Sequence, residues 1–476
     1  MKQILLSVLI LNTSSFIYSQ QTNQSKLIDN YIKEIIKNNQ IPGLALGIIK
    51  NDKIVFEQYY GIENLEDKKN VSPSSMFRVY STSKLMSNVG VFQLIEQGKL
   101  SLEDNVSKYV DNLPQDWQNV KVKNLLTHSS GIPDFIYFND ILPEDTNDKV
   151  IERLAKEKMD FATGNEYRYN QTNYMLLTMI IEKITSESFN DFIITHQLSD
   201  VKDQVYFSSN SLENIPNRVQ KYIYNPTTKQ YDKSTFNDGM RAHSANGLAI
   251  TLPAFLKWSN HLNNNALLTQ KTKEMMWKPF DFANKKDIFA YGWEISTLNK
   301  TLSYGFSGGN VSAYRVYPQS NMSIIIMSNG YNFFPVQNLI INHIAGIVDK
   351  NLINHYTLAE ESIISEFSKK NNPKAEKNYY NIKANNPKWN FESTLNIIGY
   401  SLQNTARIDE AIKIFALNAK EHPQSSNAYN SLGDSYFSAK NYILSLKNYK
   451  KSLELDPQNT NAVNMISKIE DLIKKK

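Results

Sequence analysis

The chain has 476 residues, 41% hydrophobic and 21% charged, a globular composition long enough for two or three domains. The formal charge of +5 is modest, and no long run of Lys and Arg interleaves with aromatics, so nucleic-acid binding is not expected. There is no cysteine, which excludes disulfides, a thiol nucleophile, a Cys-based metal site and a lipid anchor on cysteine.

The first residues read MKQILLSVLILNTSSFIYSQQ. Lys2 precedes an apolar stretch, Ile4 to Leu11, and small and polar residues follow up to Ser19. This pattern predicts a signal peptide over residues 1–19, too short with its flanks to span a membrane. No later apolar run reaches spanning length. A periplasmic or secreted protein, with no membrane span in the mature chain, is the expectation.

Residues 41–62, IPGLALGIIKNDKIVFEQYYGI, predict two strands joined at Asn51-Asp52-Lys53. A helix-rich stretch follows from about Ser81 to Gln197. Within FRVYSTSKLMSNVGVFQLIEQGKL, Leu85, Val89, Phe92 and Ile95 recur at helical spacing and Gly98 terminates the helix. Ser81 and Lys84 then share one face, one turn apart. A serine hydroxyl is a poor nucleophile until a neighbour takes its proton, and a buried lysine can do so. The residues after Lys84 are too apolar for a surface helix, which argues for burial. The plain alternative is a capping Ser81 beside a solvated Lys84, since S-x-x-K alone is a weak signal.

Strands return in FAYGWEI, TLSYGF, VSAYRVYP and MSIIIMSN. The simplest architecture joins them to the first pair in one sheet, with helices packed on it and a helical insertion between. GFSGG, Gly305 to Gly309, fits the nucleophile-elbow pattern G-x-S-x-G, which needs a strand before its serine and a helix after. The residues that follow, NVSAYRVYP, alternate and end in Pro318, so a strand comes next and Ser307 is not expected to be the nucleophile. His343 and His355 follow it without a convincing Asp partner. The seven histidines include no H-E-x-x-H pair, and neither a metal nor a cofactor is expected.

Composition shifts after about Val348. Residues 356–388 read as helices and a linker. Beyond them Gly399 and Gly433 lie 34 residues apart, and the same offset relates Ala411 to Ser445, Phe415 to Tyr449, His422-Pro423 to Asp456-Pro457 and Ala428 to Ala462. The period resembles the tetratricopeptide repeat, with two repeats, a closing helix from Ala462, and helices of 356–388 as a possible third partner. A helical bundle without repeat ancestry is the alternative. Such stacks more often bind a protein partner than act in chemistry.

Taken in order, FRVYSTSK, LLTHSSGIPDF, YRYNQTNYMLL, AHSANGLAIT and YGWEI resemble the serine beta-lactamase and penicillin-binding-protein-like hydrolases over about residues 26–350. The similar branch includes class C beta-lactamases, D-alanyl-D-alanine carboxypeptidases and family VIII esterases. The resemblance implies an α/β fold, an antiparallel sheet flanked by helices with a helical subdomain. It implies a hydrolase domain over 20–355, with 356–388 as helical linker and 389–476 as repeat domain. It also implies roles. Ser81 would form an acyl-enzyme, Lys84 would help deprotonate it, and Tyr169 would shuttle protons, with Tyr167 the competitor if the register differs. The N–H groups of Ser81 and Gly309 would form the oxyanion hole. Gln171, Phe306, Ser307 and Gly308 would line the substrate. His128 looks structural.

Two positions depart from the family pattern. Phe306 stands where Lys or His is usual, and Gln171 where Asn is usual. Phe306 cannot meet a substrate carboxylate. Arg241 is a candidate cation from elsewhere. The expectation is a secreted serine hydrolase acting on a small-molecule or peptide ester or amide, as an esterase, D-amino-acid peptidase or beta-lactamase-like enzyme. A catalytically weak module that binds cell-wall peptide or a protein is the alternative.

Overall fold

The computed structural model describes residues 23–208, 210–333 and 338–474. The proposed signal peptide lies outside the described residues. A first helix, α1, covers residues 23–39. Strands β1 (Gly43–Lys50), β2 (Lys53–Asn64), β3 (Lys69–Asn70) and β4 (Met76–Arg78) follow. The helical region holds α2 (Lys84–Glu96), α3 (Val122–Leu126), α4 (Asn147–Leu154), α5 (Thr172–Thr185) and α6 (Phe189–Gln197). Then come β5 (Val205–Phe207), β6 (Tyr222–Asn225), β7 (Gln230–Lys233), α7 (His243–Asn246), β8 (Leu248–Thr251), α8 (Leu252–Asn263) and α9 (Gln270–Met276). The sheet is completed by β9 (Glu294–Leu298), β10 (Thr301–Gly308), β11 (Ser312–Tyr317) and β12 (Met322–Ser328).

The large sheet has the order β3-β2-β1-β12-β11-β10-β9, antiparallel throughout. The expected union of distant strands is the β1–β12 pair, with Leu46 opposite Ile326. Both faces of this sheet are covered, which is why GLALGII and MSIIIMS are apolar on consecutive residues rather than alternating. Leu44, Leu46, Ile48, Ile324 and Ile326 pack against Ile28 and Ile32 of α1 and against α10 (Asn338–Val348). Ala45, Ile49, Ile325 and Met327 face α8 and the helical region. Gly47 on that side passes so close to α8 that a Cβ would lie 2.8 Å from Leu256.

Two expectations need adjusting. Within FAYGWEI only Glu294 onward is strand. Gly292 has φ +84 and lies against the Asn88 amide, which breaks the extended run. The helix expected from near Ser81 starts at Lys84, and Tyr80–Ser83 form a tighter 3-10 turn ahead of it.

The C-terminal region is all helical: α11 (His355–Ser368), α12 (Lys374–Asn385), α13 (Glu392–Asn404), α14 (Ile408–Glu421), α15 (Ser426–Ser438), α16 (Tyr442–Leu455) and α17 (Thr460–Lys474). It fits tetratricopeptide-like repeats. Gly399 faces the Phe415 ring and Gly433 the Tyr449 ring, each glycine on the first helix of its pair and each ring on the second. Residues 356–388 form a helical hairpin whose Ile363, Ile364 and Tyr379 share a core with Leu395 and Ile398 of α13. Glu361 accepts hydrogen bonds from Tyr31 and His343, tying α11 to α1 and α10. Among the described residues no helix is long and apolar enough to cross a membrane.

Candidate active site

Three elements meet where the large sheet borders the helical region. The Tyr80–Ser83 turn carries Ser81, the residues just before α5 carry Tyr169 and Gln171, and the end of β10 carries Phe306 to Gly308. Ser81 Oγ and Tyr169 Oη are 2.7 Å apart. Tyr167 packs instead on Phe289, Phe282 and His128, which fixes the register.

Lys84 is fully buried one turn after Ser81. Its Nζ donates to Gln171 Oε1 at 3.0 Å and to the carbonyl of Ala245 at 2.8 Å. The rings of Tyr169 and Tyr174 each lie 4.8 Å from it. Burial holds its ammonium well below the usual lysine range, with Asp134 acting in the opposite direction. A neutral amine has two N–H bonds and one lone pair. Both N–H bonds have acceptors here, so the lone pair is the remaining valence. Burial likewise pushes the Tyr169 phenol up to about 12, so it is neutral at ordinary pH.

Asp134 is the next-to-last residue of the LLTHSSGIPDF segment and was not singled out by sequence reasoning. Its carboxylate accepts from the backbone N–H of Gln171 at 2.9 Å, and burial raises it to about 6. Its position next to last in that motif segment is the signal that could have pointed to it. Ala245 contributes only a carbonyl, which no side-chain pattern can announce. His128 is fully buried, and its Nδ1 accepts from the Asn170 N–H at 3.0 Å. Its ring centroid lies 4.8 Å from that of Tyr169. The hydrogen bond to Nδ1 holds the backbone of Asn170, between Tyr169 and Gln171.

Phe306 is 3% exposed and turned inward, its ring centroid 6.2 Å from that of Tyr169 and 6.0 Å from Lys84 Nζ. It walls in the lysine. Ser307 points elsewhere, donating to Asn338 Oδ1 at 3.3 Å, and a strand follows it, so the elbow geometry is not formed. Gly308 passes against the turn that carries Ser81: a Cβ there would sit 2.1 Å from the Val79 carbonyl and 2.9 Å from Ser81 N. Gly309, with φ +54, lies against the Tyr80 ring. Arg241 is not free for a ligand, because its guanidinium donates to the carbonyls of Leu142, Pro143 and Asp145. Arg315 is 2% exposed and engaged by Glu294 at 3.0 Å and Asn338 at 3.1 Å.

An antiparallel sheet edged by a Ser-Lys-Tyr cluster defines the class of beta-lactamase and penicillin-binding-protein folds. The chain belongs to the beta-lactamase family, whose description matches residues 28–343. It is similar to the protein flp of Staphylococcus aureus strain N315, 24% identical over 356 residues, covering 70% of each chain. The match to flp of strain MW2 is 29% identical over 188 residues and spans 38% of either chain. The penicillin-binding protein 4* of Bacillus subtilis strain 168 is 25% identical over 307 residues, 60% of this chain and 67% of that protein. Among solved structures, the octameric penicillin-binding protein homologue from Pyrococcus abyssi superimposes with a TM-score of 0.61 at 22% identity, covering 71% of this chain and 81% of that one.

Proposed function

We propose that this chain is a serine hydrolase that works through an acyl-enzyme on Ser81. The observation that carries the reading is the 2.7 Å approach of Tyr169 to Ser81 beside a buried Lys84 with two N–H acceptors. Ser81 Oγ attacks the carbonyl carbon, and its proton passes toward the Lys84 lone pair, directly or through the Tyr169 hydroxyl. The carbonyl oxygen becomes an oxyanion between the N–H groups of Ser81 and Gly309. The bond to the leaving group then breaks, and the leaving oxygen takes a proton back along the same path. Water repeats the sequence on the acyl-enzyme and releases the acid. A phenol near 12 is a poor resting base, so the amine is assigned as base and Tyr169 as relay.

Phe306 in place of a cation, with Arg241 and Arg315 engaged, supports an uncharged ester as the preferred substrate. The apolar stretch after Lys2 supports a mature protein in the periplasm or outside the cell. The helical repeats, over 389–476, have the kind of stacked architecture that binds a protein partner. The test is hydrolysis of p-nitrophenyl butyrate by the wild type, Ser81→Ala and Ser307→Ala. Loss with Ser81→Ala alone is the expected result. Activity surviving in Ser81→Ala, or a folded wild type with no turnover, overturns the proposal; the second outcome favours a binding module.

A further inference from the structure

Lys221 lies just before β6 and outside the cluster described above, yet it touches both backbone segments that frame the oxyanion hole. Its Nζ donates to the carbonyl of Gly309 at 3.3 Å and stands 4.2 Å from the centroid of the Tyr80 ring. Tyr80 immediately precedes Ser81 and has φ +47, a left-handed backbone that costs an aromatic residue about 1–2 kcal/mol. Something must hold it there. Its ring lies against Gly309, where a Cβ would come within 2.6 Å of Cγ. Arg78 from β4 supplies a second cation 4.4 Å from the same ring, so Tyr80 has two cations against its ring.

We propose that Lys221 is a positioning residue, latching Tyr80 to Gly309 so that the N–H groups of Ser81 and Gly309 aim at one point. The inference rests on the acyl-transfer reading. One ammonium spans the two peptides that must act together, and a hole is effective only when its donors are fixed before charge develops. Arg78, Arg218, Asp238 and the Tyr80 phenol are charged or titratable groups around Lys221 and the Tyr80 ring. Burial first and Arg78 second bring the Lys221 amine down to about 8, against the pull of Asp238. Above that pH the neutral amine loses its attraction to the ring and its charge-assisted bond to Gly309. The latch therefore loosens as pH rises through 8.

The test compares wild type, Lys221→Met and Lys221→Arg on neutral and anionic p-nitrophenyl esters, with amide hydrogen exchange over residues 305–312. Lys221→Met is expected to lower kcat about tenfold with KM changed less than about twofold, and to speed exchange. Lys221→Arg is expected to keep kcat and to abolish the wild type's fall in kcat above pH 8. Unchanged kcat and exchange in Lys221→Met overturn the latch. So does a loss confined to KM for the anionic ester, which would make Lys221 a substrate contact. A wild type without Ser81-dependent turnover defeats the acyl-transfer reading instead, and the exchange rates alone then decide the latch.

Discussion

Gln171 Oε1 accepts a hydrogen bond from Lys84 Nζ at 3.0 Å, and no carboxylate forms an ion pair with that lysine among the described residues. The amide therefore binds the lysine without stabilising its charged form strongly. Gln171→Glu keeps the shape and adds a carboxylate, which favours the ammonium. An opposite charge at this distance moves such a group by about 1–3 pH units. The acid limb of kcat/KM is expected to shift upward by that amount, with activity recovered on raising the pH. A pH–rate profile that does not move would show that Lys84 is not the base.

Asp134→Asn tests the same group in the opposite direction. Asp134 raises the proton affinity of Lys84, so its removal lets the amine stay neutral to lower pH. The acid limb is expected to move down, and the difference is read above about pH 6, where the wild-type carboxylate is ionised. Asn retains an oxygen for the Gln171 N–H, so the backbone contact is kept.

Lys84→Met separates catalysis from stability. Lys84 is depressed in the folded protein and ordinary in the unfolded chain, so between those two values the unfolded chain binds more protons. Wild-type stability then rises with pH through that window. Methionine has no such dependence. Turnover is expected to be lost by a factor of at least about 100. The melting temperature of the variant relative to wild type is expected to increase as pH falls from 10 to 7. Parallel melting curves across this range would refute a depressed lysine.

Much of this arrangement was legible in the sequence because it is local or ordered. Ser81 and Lys84 are one helical turn apart, and Tyr169 sits at a fixed distance before Tyr174 in a segment whose burial keeps it in register. The union of β1 with β12 followed from apolar runs at both ends of the domain. What was not legible depends on contacts far apart in the chain. The packing of Phe306 against Tyr169 and Lys84 joins residues more than 130 positions apart. Arg241 looked available until the carbonyls of Leu142, Pro143 and Asp145 closed on it. Lys221 carries no motif, and only its position between Tyr80 and Gly309 singles it out.

Gly399→Ala probes the helical repeats. The new Cβ would lie 2.5 Å from the Phe415 ring, which is already fully buried. Overpacking of this kind costs about 1–3 kcal/mol. The cost falls on the α13–α14 pair, remote from Ser81. Ester turnover is expected to stay within about twofold of wild type while the helical region melts earlier. A large loss of turnover at a temperature where the repeats remain folded would show that they act on the site.

Phe306→Ala bears on why this site has an aromatic wall. The ring shields Lys84 from solvent on the β10 side, and desolvation is the leading cause of its lowered proton affinity. Removing it costs about 3–5 kcal/mol if the space stays empty, as for other buried phenylalanines. If water enters, the ammonium is solvated and its pKa rises toward the ordinary lysine value. The acid limb of the rate profile then moves up, as for Gln171→Glu, but here with a loss of stability as well. An unshifted limb in a destabilised variant would make Phe306 a packing residue alone. A shifted limb would mean that the wall maintains the base in its neutral form.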